Sequence, residues 1–256
     1  MRLIKKSVKI IKEKGWKEFF LRFFNFFKIR NSKIFLFLNR QKIINQLKNF
    51  YSENPEEIFN FISSFQGGAF QPAQIKEEFL ELLKIFQKQN PKYILEIGTA
   101  NGGSLFCFCK LAREDATIIS IDLPGGKFGG SYPEWRIPIY KAFAKENQKL
   151  YLLRKNSHKE ETLEEVKEIL NGNQLDFLFI DGDHSYEGVK KDFEMYSPLV
   201  KKGGIIAFHD IVPGPKENVG GVPEFWKEIK RNFQTQEIVK DWNQNGYGLG
   251  VIFKLL

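Results

Sequence analysis

Cysteine is nearly absent from this chain of 256 residues, which holds two, Cys107 and Cys109, in SLFCFCKL. Two positions apart on a helix, their side chains diverge by about 200°, which argues against a disulfide or a shared metal between them. Without a disulfide framework the composition suits a reducing compartment, and a cytoplasmic location is expected. Long apolar runs are missing too. The best candidate, IFLFL at 34–38, falls far short of the roughly 20 residues a membrane span requires. Lysines interrupt the opening residues and no small-residue cleavage site follows, so the start does not read as a signal peptide. Also lacking is the G-x-G-x-x-G turn of dinucleotide-binding sheets.

Phenylalanine is abundant instead, with 26 copies, and positive charge is concentrated at one end. Residues 1–50 carry 14 Lys and Arg against 2 Glu, a balance of +12, which leaves −4 for the rest of a chain whose net charge is +8. The mildly acidic remainder needs no nucleic-acid partner, and no nucleic-acid reading module accompanies the basic arm. In GWKEFFLRFFNFFKIR the pairs Phe19/Phe20, Phe23/Phe24 and Phe26/Phe27 recur at three- and four-residue steps, an apolar stripe on a basic helix. That stripe either packs on the main domain or a second subunit, which favours a homo-oligomer, or lies on an anionic membrane surface. The second option would make the protein peripheral to the inner face of a membrane.

Beyond the arm, SENPEEIFNFI (52–62) opens a helix with a polar cap and an early proline. QGGAFQP (66–72) breaks the chain, and residues 73–89 form an amphipathic helix. From Lys92 onward short apolar strands alternate with helices: strands at 93–97, 117–121, 150–154, 176–180 and 204–208, helices at 103–113, 136–146, 160–170, 186–196 and 222–232. The strands are continuous apolar runs, as expected where helices cover both faces, so the fold class is a doubly wound α/β sheet. Residues 235–242 and 246–255 supply a terminal pair of strands at the sheet edge. The domain division is 1–65, a basic Phe-rich helical extension, and 66–256, the α/β domain.

Ligands of such sheets bind outside the carboxyl ends of the strands. The first strand runs into LEIGTANGGS (95–104), where Glu96 precedes a turn containing Gly98, Gly102, Gly103 and Ser104. A carboxylate there repels a pyrophosphate and attracts a sulfonium and an ammonium, which favours S-adenosylmethionine (SAM). Asp122 ends the second strand in SIDLPGG and suits ribose hydroxyls, a need shared by SAM and NAD sites. Two further strands end in FIDGDHSYEG and AFHDIVP, which deliver Asp181, Asp183, His184, His209 and Asp210. Methyl transfer to an alcohol needs the hydroxyl positioned and deprotonated; a cation lowers its pKa, and a neutral imidazole takes the proton. Asp183 points away from Asp181 if the strand direction continues and instead serves the N-terminus of the next helix. In NSHKEE, Ser157 or His158 reaches the adenine, or Ser157 forms a capping box with Glu160. The loop PGGKFGGSYPEW (124–135) suits a lid whose Tyr132 and Trp135 stack on an acceptor.

LEIGTANGGS, SIDLPGG, KNSHKEETLEEV, FIDGDHSYEGVKKDFEMYSPLVKKGGIIAFHDIV and GVPEFWKEIK together resemble class I SAM-dependent methyltransferases. Within that class they are most similar to the metal-dependent sugar and macrolide O-methyltransferases and the cephalosporin hydroxylase-like proteins, over about residues 66–256. The resemblance implies a Rossmann-like sheet of seven strands with the last antiparallel, SAM as methyl donor, and a divalent cation, Mg²⁺ first with Mn²⁺ or Fe²⁺ as alternatives. It implies cofactor contacts at Glu96, Gly98, Gly102, Gly103, Ser104, Asp122, Ser157, His158 and Asp181. Metal ligands are implied at Asp181, His209 and Asp210, and a general base at His184 with His209 as the second candidate. Relatives carry Glu-Asp or Asp-Asn where this chain has His209-Asp210, so His209 stands between ligand and base. The implied acceptor is a sugar hydroxyl of a glycan, glycolipid or glycosylated small molecule. Two other readings share the sheet: a nicotinamide-dependent oxidoreductase and a non-catalytic nucleoside-binding module.

Overall fold

The computed structural model describes residues 33–125 and 132–255. The Phe19–Phe27 stripe and residues 126–131 of the glycine-rich loop after Asp122 therefore lie outside the described residues. The chain divides into two units, 1–43 and 44–256. In the first, the described residues 33–43 are helical apart from a turn at Asn39. The second holds the sheet. The helix Pro55–Ser64, expected in the extension, belongs to it and buries Ile58, Phe59 and Ile62. Its stacking of Phe61 on Phe106 (5.7 Å) explains the difference, because that aromatic contact ties it to the helix Gly103–Leu111. The start of Pro55–Ser64 follows from sequence: Asn54 Oδ1 accepts the Glu56 and Glu57 amides, and Pro55 opens the first turn.

Seven strands form one sheet in the order β3-β2-β1-β4-β5-β7-β6, with β1 Tyr93–Ile97, β2 Thr117–Ile121, β3 Lys149–Leu153, β4 Leu175–Ile180, β5 Val200–His209, β6 Gln234–Ile238 and β7 Leu249–Phe253. β1 through β5 pair in parallel, and β7 runs antiparallel to both β5 and β6. The expected terminal pair exists, but only β6 is an edge; β7 is inserted beside β5. Burial explains the insertion, since Leu249, Val251 and Ile252 are fully buried while β6 is mostly exposed. The helix expected at 136–146 is reduced to Ile137–Lys141. The expected capping box at Ser157 does not form: the helix Glu160–Leu170 has no side-chain cap, and Asn156 Oδ1 holds the preceding turn through the His158 amide.

Phenylalanine builds the core under β1 and β4. Phe86, Phe108, Phe177 and Phe179 are fully buried, and Phe177 packs edge-on to Phe86 (4.8 Å) and 5.3 Å from Phe108. Such pairs add favourable quadrupole contact to a large buried area. Phe177→Ala should lower the unfolding free energy by about 3–5 kcal/mol in urea titrations; a loss below about 1 kcal/mol would show that this layer does not carry the sheet.

Candidate functional site

The carboxyl ends of β1, β2 and β4 deliver their next residues in a row. The ladder continues one step past each strand: Gly98 N–H donates to Ile121 O (2.8 Å), Asp122 N–H to Leu153 O (3.0 Å) and Asp181 N–H to Ile97 O (2.8 Å). Gly98, Asp122 and Asp181 therefore stand side by side at one edge. Gly98 has φ +102°, and a Cβ there would sit 1.9 Å from the Asp181 carbonyl oxygen. Only glycine permits that approach.

The turn after β1 is tied to β2. Ala100, itself at φ +43°, donates its N–H to Asp122 Oδ2 (2.7 Å). Tyr140 OH donates to Ala100 O (3.0 Å), and Arg136 donates to the Tyr140 oxygen (3.1 Å). Tyr132 packs on Tyr140 with ring centroids 4.7 Å apart, and its own buried hydroxyl has no hydrogen-bond partner among the described residues. Gly102 and Gly103 lead into the helix, and Gly103 lies so close to Phe70 O that a Cβ would meet it at 2.4 Å.

Glu96 lies beneath this turn, not in its mouth. It is fully buried, with Ser104 donating to Oε1 (2.5 Å) and Ser120 to Oε2 (2.6 Å). Burial pushes its carboxyl up to about 8, against the opposing pull of the two hydroxyls. Ser104 is thereby a partner of Glu96. His158 turns its Nε2 to within 3.2 Å of the fully buried Asp192 carboxylate, and the Ser157 carbonyl accepts the Tyr196 hydroxyl.

On the other side of Gly98, three ligand-type groups converge. One donor atom each from Asp181, His184 and Asp210 lies within 4.8 Å of the others. His184 Nε2 is 3.4 Å from Asp181 Oδ1, and its Nδ1 is 2.5 Å from Asn218 O and 3.3 Å from Asp210 Oδ2. His209, the last residue of β5, places Nδ1 3.1 Å from Asp181 Oδ1 and 3.5 Å from Asp210 Oδ2, while its buried Nε2 has no partner among the described residues. The sequence expectation grouped Asp181, His209 and Asp210; the ligand atoms that converge are those of Asp181, His184 and Asp210, with His209 beside Asp181. Asp183 serves the adjoining helix, its Oδ1 accepting the Ser185 amide, while Ser185 caps Gly188. Burial alone would raise Asp181, but His209 and His184 together hold it well below the usual carboxylate range. Burial likewise opposes the charge on His184, and the hydrogen bond and charge of Asp181 prevail, pushing it up to about 9.

Three further residues of the site carried no sequence signal. Gln74 Nε2 donates to Asp181 Oδ2 (2.9 Å), Tyr247 N–H donates to Asp210 Oδ1 (3.0 Å), and the Asn218 carbonyl faces His184. Each is remote from its partner in sequence and belongs to no recognisable motif.

Residues 95–211 match the family model described as a methyltransferase domain. Among curated proteins, the chain is 32% identical over 176 residues to an uncharacterized protein of Sinorhizobium fredii, covering 64% of this chain and 17% of that one. It is 33% identical over 139 residues to an uncharacterized protein of Acanthamoeba polyphaga mimivirus, covering 50% and 55%. The chain thus spans at most about half the length of these curated relatives. Among solved structures, it resembles the O-methyltransferase TomG of Streptomyces achromogenes in complex with SAM, at TM-score 0.54 and 14% identity, over 81% of this chain and 92% of that one. An O-methyltransferase from Bacillus cereus in complex with S-adenosylhomocysteine (SAH) gives TM-score 0.53 and 18% identity over 80% and 93%. The chain has the fold of class I SAM-dependent O-methyltransferases.

The buried Glu96 predicts a pH effect of defined sign. Its folded-state pKa of about 8 exceeds the ordinary 4.5, so the folded protein holds a proton that the unfolded chain has lost. Stability from this group therefore falls as pH rises from about 4.5 to about 8 and is level above that. Glu96→Gln should flatten this slope in urea titrations between pH 5 and 8; an unchanged slope would mean that Glu96 is ionised in the folded protein.

Proposed function

We propose that this protein is a SAM-dependent O-methyltransferase assisted by a divalent cation, acting on a sugar hydroxyl of a glycan, glycolipid or glycosylated small molecule. The observation that carries the reading is the contact between its two halves: Gly98 of the donor turn lies against the backbone of Asp181, a member of the carboxylate–imidazole cluster. That contact would hold donor and acceptor sites next to each other, as group transfer requires.

The residues present fit both groups. An aspartate that ends β2, a glycine turn and the leftover Tyr132 hydroxyl suit a nucleoside. Two carboxylates and one imidazole within 4.8 Å suit a cation, and His184 gives its Nδ1–H to a backbone carbonyl, the arrangement that leaves Nε2 as the ligand nitrogen. A nitrogen donor beside two carboxylates makes Mn²⁺ the ion to try first, ahead of Mg²⁺ or Fe²⁺. When bound, SAM supplies the methyl group and the cation supplies Lewis acidity at the acceptor oxygen.

The chain's own residues divide the remaining work. Asp122 holds the donor turn through Ala100 and would accept the ribose hydroxyls. Asp181, Asp210 and His184 hold the cation, so His184 moves from base to ligand in this reading. His209 keeps Nδ1–H on Asp181 and offers Nε2 as the atom that takes the acceptor proton. The basic arm, residues 1–50, holds the enzyme at an anionic membrane where glycolipid acceptors are made; loss of the arm should abolish binding to anionic vesicles.

Calorimetric titration with SAH tests the donor site. Micromolar binding, lost on Asp122→Ala, is expected; no binding at millimolar SAH would overturn the reading. The two histidines are separated by a second titration, with Mn²⁺. His184→Ala should weaken Mn²⁺ at least tenfold, while His209→Ala should keep Mn²⁺ affinity and lose methyl transfer. The opposite pattern would return His184 to the role of base.

A further inference from the structure

One short stretch of chain reaches both carboxylates of the cation cluster from outside it. Gln74 and Glu78 are four residues apart, at the start of the helix Lys76–Gln89. Gln74 Nε2 donates to Asp181 Oδ2 at 2.9 Å. A carboxylate only accepts hydrogen bonds, so the amide nitrogen must face Asp181, which fixes the orientation of the amide.

Glu78 acts on the other carboxylate through a loop. It is a buried acidic residue on an otherwise apolar helix face, and three donors of the β6–β7 loop converge on it. Oε1 accepts the Lys240 amide (2.8 Å) and Gln244 Nε2 (2.8 Å); Oε2 accepts the Gly248 amide (3.0 Å). The residue before Gly248 is Tyr247, whose N–H donates to Asp210 Oδ1. Both ends of that last bond are in left-handed backbone, with φ +61° at Tyr247 and φ +63° at Asp210. A bulky aromatic residue adopts that conformation only where its surroundings over-determine it. The Glu78 clamp supplies part of the constraint, beside the Val212 amide that donates to the Tyr247 carbonyl (2.9 Å).

We propose that Gln74 and Glu78 are positioning residues of the cation site, one aligning Asp181 directly and the other aligning Asp210 through the 240–248 loop. The inference rests on the cation reading above. Partners that orient metal ligands change metal affinity about 10–100-fold when removed, whereas a residue that only anchors a loop changes stability and leaves affinity alone.

The test is Mn²⁺ titration of the full chain, wild type against Gln74→Met and Glu78→Gln, with SAH affinity and thermal unfolding measured alongside. Gln74→Met keeps the length of the side chain and removes the donor to Asp181. Glu78→Gln keeps its shape but forces an amide N–H₂ against a donor, at Gly248 if the oxygen stays on the Lys240 side. Each variant should bind Mn²⁺ 10–100-fold more weakly with SAH affinity within about twofold of wild type. Wild-type Mn²⁺ affinity in both variants would overturn the proposal, and so would a parallel loss of SAH binding, which marks general damage. Weakening in Gln74→Met alone would reduce Glu78 to a loop anchor and overturn its half. If Glu78→Gln does not fold, Gln244→Ala removes one donor of the same clamp and takes its place. A wild-type protein that does not bind Mn²⁺ at all would overturn the cation reading itself, and with it this inference.

Discussion

The site depends on one contact that requires the absence of a side chain. β1 and β4 are neighbours, and the first residue after β1 turns back over the first residue after β4. A Cβ on Gly98 would lie 1.9 Å from the Asp181 carbonyl oxygen, inside any permitted contact. The positive φ of Gly98 aims the donor turn toward Asp122, where Ala100 is caught. The same closeness keeps Asp181 beside the donor turn. Move the turn outward and the Asp122 side and the Asp181 side separate. Two chemically different half-sites thus share one backbone contact.

Rigidity under that contact comes from an unusual source. The aromatic layer of Phe86, Phe108, Phe177 and Phe179 packs against β1 and β4, so the strand ends carrying Gly98 and Asp181 stand on interlocked rings. The rim above carries left-handed non-glycine backbone at Ala100, Asp210 and Tyr247. Each strained residue is fixed by a hydrogen bond to a different element, which is the usual condition under which such conformations persist. A dense base and an over-determined rim divide the labour between stability and geometry.

The strands were legible because both faces of a parallel sheet are covered, which leaves unbroken runs such as YILEI and DFLFI. The row Gly98, Asp122 and Asp181 was legible for a related reason: a polar residue directly after such a run must sit at the sheet edge. The chain's ending was less so, because the order of β6 and β7 is decided by which strand is apolar on both faces, and each alone reads as an edge hairpin. Gln74, Glu78 and Tyr247 were illegible. Their contacts span 107, 170 and 37 residues, and a glutamine before a helix or a glutamate inside one is ordinary in sequence. Only tertiary structure converts them into partners of the cluster. Glu96 is legible as a carboxylate at a strand end, but its partners are not: the hydroxyls of Ser104 and Ser120 that hold it come from a helix and a neighbouring strand.

The electrostatics of the two half-sites run in the same direction. Glu96 is held up to about 8 by burial, and His184 is held up to about 9 by Asp181 against its own burial. At neutral pH both therefore keep a proton when no other cation is near. A sulfonium above the donor turn favours the ionised carboxyl, and a metal ion at the cluster favours the deprotonated imidazole nitrogen. On the proposed reading, each ligand would displace a proton from the half-site it enters. Asp181, held ionised by the two histidines, adds to the burial that keeps the neighbouring Glu96 protonated.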